Sequence, residues 1–356
     1  MNHRRSFLLV SLVLLLAPSL APSPALATRR PAVLSETGST LLYPLFNLWA
    51  ARYTRLDHDV RITTEATGSG TGIAQALAGL VSLGASDAYL SNFLAQKNPG
   101  LLNIPLAISS QTINYHLPHL DGRSLRLSGP VLAAIYDGQI RRWDAPAIAA
   151  LNPGVPLPNH RIVVVHRSDG SGDTFIFTQY LSFTTPGWEQ SVGYGTTVNW
   201  PAVAGEIGAT GNPGMVQALD TTPYAIAYVG VSYARAIRRE HLGTARLENR
   251  DGRFVSLTPA TVEAAARARR AKTPASERLS LVDAPGANAY PIVNYEYVMV
   301  RVHQPSARIA QALRRFLTWC LNPRGGSART FLDAVGFVGL PKSVRQLSRR
   351  QIARIR

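Results

Sequence analysis

One segment constrains this chain more than any other: Val163-Val164-Val165, then His166-Arg167-Ser168-Asp169-Gly170-Ser171-Gly172-Asp173-Thr174-Phe175. Its β-branched run predicts a strand. The glycines and hydroxyls predict a turn, and residues 175–181 can run as a helix. Strand, turn and helix start meet at one point, which is the repeating unit of an α/β fold. Two other loops share the design. Gly38-Ser39-Thr40 precedes a helical stripe at Leu42, Leu45, Phe46, Trp49, Tyr53 and Leu56. Gly68-Ser69-Gly70-Thr71-Gly72 reads as a turn before a second helix at 73–81. Short strands are expected at 60–62 and 83–87, and a longer one at 291–300. This alternation predicts a largely parallel sheet, with ligands held beyond the carboxyl ends of its strands.

The loops also point to a ligand class. A helix start presents free backbone N–H groups, and its dipole favours an anion. Arg167 adds a planar fork that grips two oxygens of one oxyanion. A plain N-cap and turn explains any one loop alone; three of them favour an anion site. Asp87 ends a strand and places a carboxylate there. It accepts a hydrogen bond only from a ligand that still carries a proton. Monohydrogen phosphate has that proton, and sulfate at neutral pH does not. Asp87 is therefore expected to select by protonation state.

Residues 1–27 read as an export leader. His3-Arg4-Arg5 is basic, 7–17 is apolar, and Ala25-Leu26-Ala27 is an A-x-A cleavage site. Arg4-Arg5-Ser6-Phe7-Leu8 fits a twin-arginine or an ordinary secretory start. A periplasmic or secreted protein cleaved near Ala27 is expected. The remaining chain suits one large or two medium domains. Lys and Arg number 37 against 21 Asp and Glu; without Arg4 and Arg5 the balance is 35 − 21 = +14, a field that attracts anions. Cys320 is the only cysteine, so no intrachain disulfide forms, and it reads as a buried small hydrophobe. The tail from Ser343 sets Val344, Leu347, Ile352 and Ile355 at helical spacing among five arginines. It reads as a surface-packed helix or as a contact for an anionic surface.

Other chemistries fit worse. Neither glycine loop has the lysine of a P-loop, and Gly68 to Gly72 lacks the dinucleotide spacing. Asp169 stands where a nucleophile elbow needs glycine. His116 and His119 flank Pro118, and no cysteine or carboxylate cluster completes a zinc site. No nucleic-acid motif is present. A binding protein without metal or other cofactor is expected, not an enzyme.

Four segments stand in the order and spacing of a known family: Thr37-Gly38-Ser39-Thr40-Leu41, Gly68-Ser69-Gly70, Gly84-Ala85-Ser86-Asp87 and Arg167 to Gly172. The chain resembles the substrate-binding proteins of the phosphate-specific ABC importer. Gly172-Asp173-Thr174-Phe175, 177–182 and 290–297 look closest to its mycobacterial branch. The resemblance implies a two-lobe periplasmic binding protein fold of type II, a Venus flytrap with two crossover strands as hinge. Residues 32–109 and 292–356 would form lobe I, and 110–291 lobe II. It implies that Thr40, Leu41 and Ser69 donate to phosphate from backbone or hydroxyl, and that Asp87 accepts its proton. Arg167 would bind from the other lobe, held by Asp169, with Ser171 and Gly172 donating at the helix start. Ser39, Gly68 and Gly70 would support these loops. Asp173, where some members carry threonine, offers its N–H, and its carboxylate is either a second acceptor or a helix cap. Leu41 stands where an aromatic is common. The implied partners are inorganic phosphate and ABC permease subunits with a cytoplasmic ATPase, with the chain a monomer. Mycobacterial members are lipoproteins; this sequence lacks their lipid-bearing cysteine, which leaves a membrane anchor in doubt. Alternatives are an exported phosphate scavenger or sensor without a transporter, a phosphate-ester hydrolase, or a binder of another tetrahedral oxyanion.

Overall fold

In the computed structural model, residues 30–120 and 124–356 are described. The expected leader, 1–27, lies outside the described residues. Twelve strands follow in order: β1 (Ala32–Gly38), β2 (Val60–Glu65), β3 (Leu83–Ser86), β4 (Leu101–Tyr115), β5 (Arg126–Leu127), β6 (Val163–Arg167), β7 (Ile207–Ala209), β8 (Ala225–Gly230), β9 (Gly243–Thr244), β10 (Arg246–Glu248), β11 (Phe254–Val255) and β12 (Val293–Arg301). The main sheet has the order β2-β1-β3-β12-β4-β8-β6-β7, with β9 also on β4. β5, β10 and β11 form a small second sheet.

β1, β2 and β3 run parallel, as do β6, β7 and β8. The two groups are joined through antiparallel β12 and β4. β4 changes partner in mid-strand. Up to Ser110 it pairs with β12, and from Gln111 onward with β8. A bulge in the β12 pairing falls at Glu296/Tyr297, opposite Pro105, which has no N–H to give the ladder. The connections put the carboxyl ends of β1, β3, β6 and β8 near this change of partner, and the loops at Gly38, Gly68 to Gly72 and Gly170 to Gly172 meet there.

Helix Tyr43–Leu56 buries Leu45, Phe46, Trp49 and Tyr53. The Phe46 and Tyr53 rings meet Phe316 and Trp319 of helix Ala307–Cys320 at centroid distances from 5.1 to 6.3 Å. Cys320 is buried there, as its apolar surroundings predict. Helix Gly172–Thr184 is buried on all sides from Gly172 to Ser182. A helix enclosed in this way holds the loop at its start rigidly.

The C-terminal helix, Lys342–Ala353, packs on β4 through Val344, Ser348, Gln351 and Ile352. A buried carboxyl, Glu277, sits beneath it. Ser348 Oγ lies 2.8 Å from Glu277 Oε1, and Gln351 Nε2 donates to Oε2 at 2.6 Å. The single Ser348 proton also faces Pro105 O at 3.1 Å. A protonated Glu277 donating to Ser348 satisfies all three groups. Burial without a cation pushes this carboxyl up to about 8, against the opposing Gln351 and Ser348 bonds. Because the folded value is raised, the stabilising contribution is complete below about pH 4.5 and is lost as pH rises to about 8. Chemical denaturation at pH 5 and pH 9 should differ by a few kcal/mol from this group. Glu277→Gln keeps the bonds and should flatten that difference; an unchanged slope would assign it elsewhere.

Candidate functional site

β1 ends at Gly38, and the Ser39 side chain turns back on the turn that leads into helix Tyr43–Leu56. Its Oγ accepts from Leu41 N at 3.1 Å and Leu42 N at 3.0 Å, and donates to Asp87 Oδ1. The second loop brings Ser69 to the other oxygen, Asp87 Oδ2, at 3.3 Å. Gly68 has φ +91°, and a Cβ there would meet Asp169 Oδ2 at 2.6 Å. Only glycine suits both the conformation and the approach. Asp87 is therefore a buried carboxylate gripped from two loops.

Arg167 ends β6 and is fixed from three directions. Nε and Nη2 donate to Asp169 at 2.6 and 2.5 Å, and Nη1 donates to Asp173 Oδ2 at 3.0 Å. Its backbone N–H donates to Tyr228 Oη at 2.9 Å. A guanidinium has five N–H donors, and three are used. One remains on Nη1 and one on Nη2, the pair that grips an oxyanion. Ser171 caps helix Gly172–Thr184 by accepting from Thr174 N at 3.2 Å. The Gly172 and Asp173 N–H groups at that helix start have no protein acceptor among the described residues.

The two halves touch at this point. Gly70 N donates to Gly170 O at 2.8 Å. Thr40 Oγ1 accepts from Asn212 N and Nδ2 at 3.1 and 3.0 Å, which leaves its own proton free to donate. A Cβ on Gly172 would fall on Asp87 Oδ2 and Ser69 Oγ. The first turn of one half thus lies against the carboxylate of the other.

One cation stands among four carboxyl groups. Burial works against the Arg167 charge, but Asp169 and Asp173 outweigh it and hold the guanidinium above its usual value. Burial also opposes ionisation of Asp169, yet Arg167 keeps it below the ordinary carboxylate range. Burial raises Asp87, against bonds from Glu296 and Ser39 and the charge of Arg167. Asp173 is pushed up to about 7 by burial and by the Asp87 charge. Glu296 is raised well above the usual range by burial and by Asp87. Its Oε1 accepts from Ser109 Oγ and, at 2.9 Å, from Asn294 Nδ2. Glu296 Oε2 has no hydrogen-bond donor among the described residues, and the Glu296 carboxyl interacts with that of Asp87. A neutral Glu296 hydrogen-bonds Asp87 and leaves the negative charge on Asp87. The result is a donor-lined pocket edge that contains one ionised acceptor.

A family model described as a PBP superfamily domain matches residues 25–324. The phosphate-binding protein PstS of Methanocaldococcus jannaschii is 35% identical over 333 residues, covering 88% of this chain and 84% of that protein. The chain belongs to the PstS family. PstS3 of Mycobacterium bovis is 32% identical and covers 78% of the chain and 74% of that protein. The solved high-affinity periplasmic phosphate-binding protein PfluDING, bound with phosphate, shares the fold at TM-score 0.70 and 21% identity, covering 90% of this chain and 93% of that one. The mixed α/β architecture is thus the two-lobe periplasmic binding protein fold.

In this PstS-family chain Thr40, Ser69, Asp87, Arg167, Ser171, Gly172 and Asp173 converge, with Ser39, Gly68, Gly70 and Asp169 behind them. One detail differs from the sequence reading, and one alternative left open there closes. The Leu41 N–H is taken by Ser39 Oγ, and the Leu41 side chain is fully buried against Gly230. Asp173 does not cap its helix, because Ser171 does. Its Oδ1 accepts from Gln111 Nε2 at 3.1 Å, and Oδ2 accepts from Asn212 Nδ2 at 2.6 Å as well as from Arg167. Sequence reasoning missed Gln111, Asn212, Tyr228 and Glu296. A signal existed for one of them: Glu296 is a carboxyl between Tyr295 and Tyr297 in an aromatic and β-branched strand.

Proposed function

We propose that this chain captures inorganic phosphate between its two lobes and delivers it to an ABC importer. One observation carries the reading: the two unused Arg167 donors and the Gly172 and Asp173 N–H groups come from one half of the molecule, and Asp87 comes from the other. Arg167 and the helix start neutralise the anion, while Asp87 demands a proton from it. The donors are already held in place by Asp169, Tyr228 and Ser171, so little ordering is lost on binding. We place lobe I at 32–109 with 292–356 and lobe II at 110–291, hinged where β4 changes partner. Glu277 of the second range packs on the C-terminal helix of the first, so this segment ties the lobes beside the hinge. The protein is read as an exported monomer, cleaved near Ala27 and serving a membrane permease with a cytoplasmic ATPase. It binds without chemistry on its ligand. Among the described residues no helix is long and apolar enough to cross a membrane, and no group of metal-binding side chains is present.

Asp87→Asn tests the filter. The amide can donate where the carboxylate can only accept, so sulfate is no longer repelled. Calorimetric titration at pH 7 should show sulfate gaining and phosphate losing affinity. Together they narrow discrimination by roughly 1–3 kcal/mol, the cost of one mismatched buried partner. An unchanged phosphate-to-sulfate ratio would remove Asp87 from this role.

A further inference from the structure

The positive charge of this chain is concentrated at its C-terminal end, away from the phosphate site. Residues 297–356 hold twelve Lys and Arg and a single acid, Asp333. Some of these arginines have internal roles: Arg315 pairs with Asp57, Arg329 with Asp333, and Arg314 donates to Ile355 O. Those of the C-terminal helix do not. Lys342, Arg345, Arg349, Arg350 and Arg354 pair with no carboxylate among the described residues.

The helix has two faces. Val344, Ser348, Gln351 and Ile352 are buried on β4. Lys342, Gln346, Arg349, Arg350 and Ala353 are exposed, at the spacing i, i+4, i+7, i+8, i+11 of a single stripe. Arg354 and Arg356 are exposed beyond it. The stripe is about 18 Å long at 1.5 Å per residue. Its N-terminal end opens on a groove of about 690 Å³ whose lining includes Arg270, Thr273, Lys342, Gln346 and Arg350. Arg270 comes from a different part of the chain and adds charge to the same surface.

We propose that this stripe and groove dock on an anionic phospholipid surface. The surface is cationic and carries no acid and no aromatic side chain. Protein interfaces centre on desolvated aromatic and Arg anchors seated among large apolar side chains, whereas the apolar part of this face is confined to Ala271, Pro341 and Leu347 in the groove. A plane of phosphate headgroups needs no anchor. It needs guanidinium forks spread over its surface, which bind phosphate oxygens in pairs. Each basic residue near such a surface adds attraction that salt screens. A bilayer contact through one side of lobe I would keep the protein near the membrane without blocking the opposed loops of the cleft.

The test is sedimentation of the processed, exported protein with vesicles of phosphatidylglycerol and phosphatidylethanolamine, against pure phosphatidylcholine. Binding is expected to the anionic vesicles in low salt and to be lost at high salt. Arg349→Gln/Arg350→Gln/Arg354→Gln should weaken it about a hundredfold, near fivefold per charge, with phosphate affinity unchanged. Arg235→Gln/Arg238→Gln/Arg239→Gln removes the same charge from another exposed site and should leave most of the binding. Equal losses in the two variants would show that net charge acts, not this face, and would overturn the proposal. So would absent binding to anionic vesicles, or binding only to membranes that contain the permease.

Discussion

Arg167→Ala should abolish high-affinity phosphate binding. The variant loses the only guanidinium of the site, with its two unused donors. It also leaves Asp169 and Asp173 without the cation that keeps them compatible with an anion. Truncating one partner of a buried charged pair costs roughly 2–5 kcal/mol, or about thirtyfold to several thousandfold. The upper part of that range is expected, because the remaining carboxyls repel the ligand. Part of the loss should return at low pH, where Asp173 is protonated and that repulsion falls. Arg167→Lys should restore charge but not the fork, and should recover only part of the affinity. Native affinity in Arg167→Ala, measured by calorimetry, would remove this residue from the site.

Gly172→Ala should be the second most damaging single change. A methyl group at this position occupies the space of Asp87 Oδ2 and Ser69 Oγ. Both atoms belong to the opposite half and are held by further bonds, so they cannot give way cheaply. Closure must stop short, and the N–H groups of the helix start stay away from the ligand. Overpacking of this kind costs about 1–3 kcal/mol, which here appears as affinity lost by up to about a hundredfold. Stability of the open protein should change little, because the clash exists only when the halves meet. Gly187→Ala is a control: nothing lies within 4 Å of a Cβ there. Equal phosphate affinities for the two variants would contradict the described closure.

Much of this site is legible in the sequence because it is built locally. A strand end, a glycine turn and a helix start are consecutive in the chain, and their ligand chemistry follows from backbone N–H groups. Asp87 and Arg167 stand out because a carboxylate and a guanidinium at such ends have no ordinary packing role. The helix at residues 43–56 follows from its apolar stripe. The Gly68 to Gly72 turn is less regular in sequence than in structure. The helix already begins at Ser69, and its glycines are there for contact: Gly72 packs on Thr37 O and Ala85 O, and Gly70 on Gly170. Close backbone approach overrides helix propensity at these positions. The supporting shell is hidden for a different reason. Gln111, Asn212, Tyr228 and Glu296 come from four distant elements, and only the fold of the sheet around β4 brings them together. The role of Asp173 is hidden too, since an acid in a helix's first turn ordinarily caps it.

In the proposed function the site reads a proton on a tetrahedral anion. Calorimetric titration of the processed protein with phosphate and with sulfate, from pH 6 to pH 9, tests it most directly. Phosphate should bind far more tightly than sulfate at every pH. Its affinity should fall as Asp173, pushed up to about 7, ionises and adds a negative charge that repels the ligand. That fall should approach tenfold per pH unit, with proton uptake on binding. Sulfate binding comparable to phosphate anywhere in this range would show that no proton is read at Asp87.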